Sequence, residues 1–320
     1  MKYFNRDGLD SVSKIGIGAA RFGSIVDEVI AFDMLDMFTA YGGNVIDTAR
    51  NYYEWIEGSR GVSEKTIGKW ISSRNSRNNI IISTKGGVRN TGSTFHVDLS
   101  KENLVKEAKE SMEALQTDKI DIYYLHRDER DRSTEEIVDT MMLLREITSC
   151  HAFGVSNWKI DRIKYLNACA QSRGLPIIDT IQTWWSIADY TYAMWNDPTT
   201  TWMDRETYEY SLEKNMFILA STSQAKGFFQ KAILGGYDTL KPSLKKRIVS
   251  DENLRRLDLI SSYCKKHNVS PTSIVNSYIT SNDLCGVALV SCSSLEQLND
   301  ILNHIDDDVD KTWLKQFNPR

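Results

Sequence analysis

Short apolar stretches alternate with amphipathic stretches along almost the entire chain, and this alternation limits the folds that the sequence can adopt. Each apolar run of strand length is followed by a segment with apolar residues at three- and four-residue spacing, which is the period of a helix. The predicted strands are 12–18, 44–47, 80–84, 120–125, 152–155, 177–181, 216–220 and 286–290. The predicted helices are 27–41, one starting at 63, 100–115, 133–148, 159–173, 204–214, 250–267, 271–282 and 294–304.

Strands that alternate with helices form right-handed βαβ units and a parallel sheet. Eight such units in 320 residues favour a closed (β/α)8 barrel of the TIM type over an open, doubly wound sheet. No linker rich in Pro, Ser or Gly interrupts the series, and the composition does not shift along the chain. We therefore expect a single α/β domain over residues 1–320.

The composition argues against several other kinds of protein. With 41% hydrophobic and 26% charged residues, the chain has the profile of a soluble globular protein. A net charge of −4 offers no electrostatic reason to expect a nucleic acid or an anionic membrane as partner. The sequence contains no apolar run long enough to cross a membrane, and its first residues lack the apolar core of a signal peptide, so a cytoplasmic location is expected.

The cysteines favour reduced thiols over a disulfide framework or a zinc site. There are five of them, an odd number, and they are widely spaced along the chain. We expect no bound metal. The cysteines are Cys150, Cys169, Cys264, Cys285 and Cys292.

Polar or titratable residues stand at the ends of successive predicted strands, which ordinary folding does not require. In a closed parallel barrel the carboxyl ends of the strands meet on one rim, where active sites of this fold lie. A tyrosine in the loop after the second strand joins the group, five residues beyond an aspartate. The residues are Asp47, Tyr52, Lys85, His126, Ser156 and Asn157.

Four of these side chains suit the protonation of a carbonyl oxygen. A tyrosine with an ordinary pKa near 10 is a poor proton donor or acceptor at neutral pH, and a neighbouring ammonium such as Lys85 would lower that pKa. A carboxylate at Asp47 would hold the lysine, and a histidine at 126 could orient the carbonyl. Because no side chain delivers hydride, the chemistry requires a nicotinamide or flavin cofactor.

Each residue alone has an ordinary alternative role. An aspartate at a strand end is frequently a turn former. Tyr53 competes with Tyr52, since the course of the loop is not known from the sequence. Lys85 could instead form a Schiff base in a cofactor-free lyase or aldolase, which would require it to be desolvated and not paired with Asp47.

Two long predicted loops follow strands and are candidates for covering the barrel mouth. Loop 86–99 follows the third strand, and loop 184–204 follows the sixth. A structureless loop of this length is usually functional, although an aromatic loop can also simply seal the barrel. The second loop carries the tryptophans Trp184, Trp185, Trp195 and Trp202. The glycines of GIGAARFG after the first strand lack GxGxxG spacing, so they indicate a turn that lets the backbone approach a ligand, not a Rossmann fingerprint.

Beyond these local signals, the chain resembles the aldo-keto reductases. The matching stretches follow the family's order and spacing over essentially the whole chain: GGNVIDTARNYY, SEKTIGKWI, IIISTKGG, SMEALQTDKIDIYYLHR, FGVSNW, the strand of Gln182, ILASTSQAKGFF and VALVSCSSLEQL. The resemblance implies hydride transfer from NADPH, or NADH, to the carbonyl of an aldehyde or ketone, with a sugar-derived carbonyl among the expected substrates. It places the family's catalytic tetrad on Asp47, Tyr52, Lys85 and His126, and makes Tyr52 the general acid.

The resemblance also implies where the cofactor and substrate bind. Three residues match positions that hold the nicotinamide carboxamide, the segment 221–224 matches the loop along the pyrophosphate, and four residues match positions around the adenosine phosphate. The expected cofactor residues are Gly18, Ala19, Ser156, Asn157, Gln182, Ser221, Thr222, Ser223, Gln224, Ser291, Ser293, Gln297 and Asp300. The expected substrate residues are Trp55 and Trp184.

Three departures from the family pattern concern the cofactor. Ser221 stands where a Tyr or Trp usually stacks on the nicotinamide, Ser293 where Arg is frequent, and Asp300 with Ile301 where Glu-Asn is usual. They predict a modest preference for NADPH. They also keep open an alternative from another class, a sensing or regulatory subunit with slow turnover that resembles the reductase-like subunits of potassium channels.

Overall fold

The computed structural model describes residues 1–92, 94–190, 197 and 199–319. In these residues the strands are β1 Tyr3–Arg6, β2 Leu9–Ser13, β3 Ile15–Gly18, β4 Val45–Asp47, β5 Ile81–Gly86, β6 Val88–Asn90, β7 Phe95–Val97, β8 Ile122–Leu125, β9 Ala152–Ser156, β10 Thr180–Trp184, β11 Phe217–Ser221 and β12 Cys285–Val290. The α-helices are α1 Glu28–Ala40, α2 Val62–Arg74, α3 Lys101–Leu115, α4 Thr134–Thr148, α5 Ile160–Ser172, α6 Arg205–Glu213, α7 Phe228–Gly235, α8 Pro242–Ile248, α9 Asp251–His267, α10 Pro271–Thr280, α11 Leu295–Asn303 and α12 Lys311–Leu314.

Eight of the described strands close a parallel barrel, and the predicted (β/α)8 fold is confirmed. The order around the barrel is β3, β4, β5, β8, β9, β10, β11 and β12, with β12 pairing back to β3. All strands therefore present their carboxyl ends on one rim. The helices pack outside the barrel, and the side chains of Ser100 and Ser133 cap the N-termini of α3 and α4.

The predicted extent of the first strand, 12–18, is wrong, because this segment forms two separate strands that are interrupted at Lys14. The β2 strand pairs antiparallel with β1, whereas β3 enters the barrel. The Ser13 hydroxyl donates to the carbonyl of Ile15 at 2.7 Å, which turns the chain between the two strands. The β1–β2 hairpin packs Leu9 and Val12 against inward-facing barrel residues and so closes the end of the barrel opposite the predicted site.

The sixth barrel strand begins three residues later than the sequence predicts. The side chain of Asn167 on α5 accepts from the backbone amide of Ile178 at 2.8 Å and donates to its carbonyl at 3.0 Å. Because these backbone groups bond to a side chain, they do not join the sheet, and β10 starts at Thr180. Gln182 and Trp184 consequently lie within the strand.

Other local predictions need correction. The helix predicted to start at 63 is α2, which begins at Val62: its N-cap is Gly61, at a left-handed φ of 69°, while the Ser63 hydroxyl donates to the carbonyl of Ala19 at 2.7 Å. The predicted loop 86–99 contains the antiparallel hairpin β6–β7. Helices α7 and α8 lie between β11 and α9, where the sequence patterns predicted none.

The predicted aromatic loop 184–204 is described in part. Trp184 is the last residue of β10 and forms a parallel bridge with Trp202, which ties the two ends of the loop together. Trp185 is buried in the core, beside Tyr278. Trp195 lies outside the described residues. A search of the described helices found none with the length and apolarity needed to span a membrane, and all five cysteines are free thiols.

Candidate active site

Asp47 and Lys85 form a buried ion pair at the carboxyl ends of the neighbouring strands β4 and β5. The Lys85 side chain has no exposed surface, and its Nζ lies 2.9 Å from Asp47 Oδ1 and 2.8 Å from Oδ2. A third bond goes to the carbonyl of Thr48 at 2.6 Å. Burial opposes the charge on Lys85, but Asp47 and Tyr52 outweigh it and raise the pKa of the lysine. This pairing is the opposite of what a Schiff-base lysine requires.

The same lysine distinguishes Tyr52 from Tyr53. Lys85 Nζ donates to the Tyr52 hydroxyl at 2.9 Å. The Tyr53 ring instead packs on the ring of Trp55, with 4.7 Å between centroids. The turn that separates the two tyrosines depends on Tyr53 taking a left-handed φ of 56°. The geometry therefore brings Tyr52 to the ion pair, as the family resemblance predicts.

The expected lowering of the Tyr52 pKa is not found. Burial raises the pKa of Tyr52, and the attraction of Lys85 offsets only part of that effect. A phenolate would have to lose its hydration in this site, and that cost exceeds the gain from one ammonium that Asp47 already neutralises. The raised pKa therefore favours the protonated phenol of Tyr52.

His126 follows β8 and completes the group. Its backbone amide donates to the carbonyl of Gly86 at 3.0 Å, and its ring meets the Tyr52 ring edge-on, with centroids 5.8 Å apart. Burial, together with the charges of Arg127 and Lys85, lowers the pKa of His126 well below its ordinary value. A neutral imidazole can donate a hydrogen bond to a carbonyl oxygen, but it lacks the second ring proton that an imidazolium could transfer to a substrate.

Gln182 and Asn157 extend the site along the rim. Gln182 Nε2 donates to Asp47 Oδ1 at 2.9 Å, so this residue lies beside the ion pair. Asn157 Nδ2 donates to the Ser156 hydroxyl at 2.9 Å, while its Oδ1 is buried and has no partner among the described residues. An amide group such as a nicotinamide carboxamide would satisfy that oxygen, so this part of the site fits the predicted cofactor.

A cleft of about 640 Å³ lies beside the ends of β11 and β12. Six of the predicted cofactor residues line it: Thr222, Ser223, Gln224, Ser291, Ser293 and Gln297. The Ser293 hydroxyl and backbone amide both donate to Gln297 Oε1, at 3.2 and 3.0 Å. The Ser291 hydroxyl donates to the carbonyl of Gly18 at 3.1 Å, and a Cβ at Gly18 would lie 2.5 Å from that hydroxyl. Glycine at 18 thus keeps this corner open.

The cleft is strongly cationic. Among the described residues that line it there are five basic side chains and no carboxylate; the basic residues are Arg21, Lys226, Lys231, Lys241 and Arg247. Burial and the neighbouring charges of Arg247 and Arg21 lower the pKa of Lys226 to about 8. Concentrated positive charge of this kind fits the phosphates of a dinucleotide. Sequence reasoning did not predict that these five side chains converge, because Arg21 is far from the other four along the chain.

The five remaining predicted residues lie apart from the described lining of the cleft. Asp300 accepts a hydrogen bond from the Thr272 hydroxyl at 2.8 Å, so its carboxylate is already bonded to the neighbouring helix α10. Ala19 is fully buried behind the rim. Ser221 ends β11 directly opposite Trp184 of β10, and Lys226 Nζ lies 5.9 Å from the Trp184 ring. The other predicted substrate residue, Trp55, is 47% exposed.

Comparisons with known proteins agree with this arrangement. A model of the Aldo/keto reductase family matches residues 14–317. Norsolorinic acid reductase of Aspergillus flavus is 27% identical over 283 residues, which are 84% of this chain and 67% of that protein. Aldo-keto reductase ausK of Aspergillus calidoustus is 30% identical over 189 residues, 55% of this chain and 46% of that protein. The structure of aldo-keto reductase AKR11C1 from Bacillus halodurans, in its holo form, superimposes on this chain with a TM-score of 0.72 at 21% sequence identity. The superposition covers 98% of this chain and 95% of that chain, so the two proteins share a fold.

The chain therefore belongs to the aldo/keto reductase family, as the resemblance in its sequence indicates. It is accordingly an NAD(P)-dependent oxidoreductase of the class that reduces carbonyl groups.

Proposed function

We propose that this protein reduces an aldehyde or ketone with hydride from NADPH and that Tyr52 protonates the carbonyl oxygen. One observation carries the proposal: the buried Lys85 ammonium contacts both oxygens of Asp47 and the hydroxyl of Tyr52. Asp47 keeps the lysine charged, and Lys85 stabilises the negative charge that develops on the phenol oxygen as its proton leaves. His126, held neutral, orients the carbonyl oxygen toward Tyr52.

The cofactor would occupy the rim between the proton-transfer residues and the cationic cleft. When bound, the nicotinamide supplies the hydride. The unpaired Oδ1 of Asn157 would accept from its carboxamide, with Ser156 and Gln182 beside it. The basic residues of the cleft and the segment 222–224 would hold the phosphates, and Ser291, Ser293 and Gln297 would meet the adenosine end.

The central test is the substitution Tyr52→Phe. It removes the proton donor and leaves the cationic cleft intact, so carbonyl reduction should fall by at least ~10²-fold, the usual contribution of general acid catalysis, with little change in the Kd for NADPH. Tyr53→Phe is the matched control and should retain activity. Loss of activity in Tyr53→Phe with a normal Tyr52→Phe enzyme would reverse the assignment.

Cofactor preference is tested by paired dissociation constants, read from nicotinamide fluorescence. We expect NADPH to bind modestly more tightly than NADH, because the basic side chains of the cleft favour an additional phosphate. Ser293→Arg should tighten NADPH specifically, since an arginine can form a bidentate, charge-assisted pair with a phosphate. Equal or tighter binding of NADH by the wild type would contradict the NADP preference.

The substrate that we propose is a small polyhydroxy carbonyl compound, such as one derived from a sugar. The packed rings of Tyr53 and Trp55 leave an aromatic face partly exposed in the loop that carries Tyr52, and such faces suit sugar rings. A panel of aldoses and simple aldehydes tests this class. The same assay also tests the alternative of a sensing or regulatory subunit, because very slow turnover of every carbonyl compound despite tight cofactor binding would favour that alternative.

A cytoplasmic location is in keeping with five free thiols.

A further inference from the structure

Arg127, the residue after His126, joins three segments at the barrel mouth. Its side chain is 10% exposed, and its Nη1 donates to the carbonyl of His126 at 3.0 Å. Its Nε donates to the hydroxyl of Thr199 at 3.0 Å, and Nη2 lies 3.5 Å from Asp197 Oδ2. The guanidinium also lies over the ring of Phe95, 5.2 Å from its centroid.

These contacts come from connections that leave the rim at different strands. Phe95 belongs to the β6–β7 hairpin, which follows β5, whereas Asp197 and Thr199 belong to the segment that follows β10. Other contacts also hold the two connections: the backbone amide of Asn90 donates to Glu54 at 2.9 Å, and the backbone amide of Met203 donates to the carbonyl of Trp184 at 2.8 Å. Arg127 links both of them to the backbone of the residue that contributes the predicted carbonyl-orienting ring.

The chemistry of the contacts requires an arginine. A planar guanidinium can donate in its plane to Thr199 and to the His126 carbonyl while its face packs on an aromatic ring. A lysine has one nitrogen and could satisfy only part of this set. Asp197 keeps its orientation independently, because Thr199 and Thr200 also donate to its carboxylate.

We propose that Arg127 is a positioning residue: it fastens the β6–β7 hairpin and the residues 197 and 199–203 to His126 and thereby shapes the substrate mouth. The part of this proposal that concerns substrate rests on the proposed carbonyl reductase function. Whether Arg127 fastens the two connections can be measured by amide hydrogen exchange, which does not depend on catalytic turnover. Arg127 acts on the substrate end of the site, since it bonds to the backbone of His126, the predicted carbonyl-orienting residue.

The test compares Arg127→Met and Arg127→Lys with wild type, using the intact chain. Amide hydrogen exchange should become faster in residues 88–92, 94–97, 197 and 199–203 of Arg127→Met and stay unchanged in α11, which follows β12 on the opposite side of the barrel from β8. The KM for a carbonyl substrate should rise about tenfold, as expected for one lost charge-assisted hydrogen bond, with a smaller change in kcat. The Kd for NADPH should stay at the wild-type value.

Arg255→Met is the matched control, since Arg255 forms a surface ion pair with Glu252 on α9. It should leave exchange in both connections and the KM unchanged. Arg127→Lys should resemble Arg127→Met, and a lysine variant with the wild-type KM would overturn the requirement for a planar side chain. Unchanged exchange in either connection, or unchanged KM in Arg127→Met, overturns the positioning role. If the wild type reduces no carbonyl, the proposed function fails, and the exchange data alone decide whether Arg127 fastens the two connections.

Discussion

Lys85 carries a full positive charge inside the barrel mouth because Asp47 compensates it at hydrogen-bond distance. The pair also fixes Tyr52, whose hydroxyl is the fourth partner of the same nitrogen. At the scale of single residues, one ammonium therefore serves both stability and chemistry. Removing it leaves a carboxylate that is almost fully buried, with Ser83 and Gln182 as its remaining donors.

We expect Lys85→Met to be as damaging to carbonyl reduction as Tyr52→Phe. It should also lower the free energy of unfolding by about 3–5 kcal/mol, because the buried charge of Asp47 loses its partner. Urea denaturation and steady-state assays measure the two effects. The double variant Asp47→Asn/Lys85→Met removes both charges, so it should recover most of the stability and none of the activity. Normal turnover in Lys85→Met, or an imine trapped on Lys85 by borohydride, would contradict the proton-transfer role.

At the scale of secondary-structure elements, a side chain on a helix decides where a strand starts. Asn167 on α5 binds both backbone groups of Ile178, and this sets the register in which Gln182 of β10 lies next to Ser156 of β9. The bonds are fully buried, so an apolar replacement would leave two backbone groups without partners.

Asn167→Ala should therefore reduce the free energy of unfolding by about 1–3 kcal/mol for each backbone group left unsatisfied. Since Gln182 also donates to Asp47, catalytic activity should decline as well. Asn299→Ala, at an exposed position of α11, is the matched control and should change neither quantity. Equal denaturation curves for Asn167→Ala and wild type would show that Asn167 does not anchor the start of β10.

At the scale of the whole molecule, the barrel rim carries two sites that titrate differently. The proton-transfer site holds His126 with a lowered pKa and Tyr52 with a raised one, so neither changes protonation between their ordinary values of 6.5 and 10.0. The cationic cleft holds Lys226, whose pKa of about 8 lies within that window. Lys226 is charged below this pH and neutral above it.

The pH dependence should therefore separate into two parts. With saturating NADPH, kcat for carbonyl reduction should be flat between pH 6.5 and 10, because Tyr52 stays protonated and His126 stays neutral. The Kd for NADPH should increase as pH rises through about 8, because Lys226 loses the charge that attracts phosphate. The Lys226→Met variant should bind NADPH more weakly than the wild type does, and its Kd should not increase as the pH rises through about 8. A bell-shaped kcat profile centred near neutrality would contradict the protonation states assigned to Tyr52 and His126.

Local patterns in the sequence were enough to predict the barrel and most of the proposed proton-transfer site. Strand and helix periods are local patterns, and a parallel barrel brings every strand end to one rim whatever the details of packing. Asp47, Lys85 and His126 could therefore be placed together from their positions at strand ends alone. The family resemblance then selected Tyr52 over its neighbour, and the contact with Lys85 agrees with that choice.

Only the tertiary structure decided which basic residues converge, where β10 begins and which way the Tyr52 pKa moves. Arg21, Lys226 and Lys241 are separated along the chain, and long side chains meet only when their backbones are placed in three dimensions. The start of β10 depends on a bond from another element, which no local pattern in 177–184 records. The pKa of Tyr52 depends on the balance between burial and one charge, and burial is a property of the assembled barrel and not of any single segment.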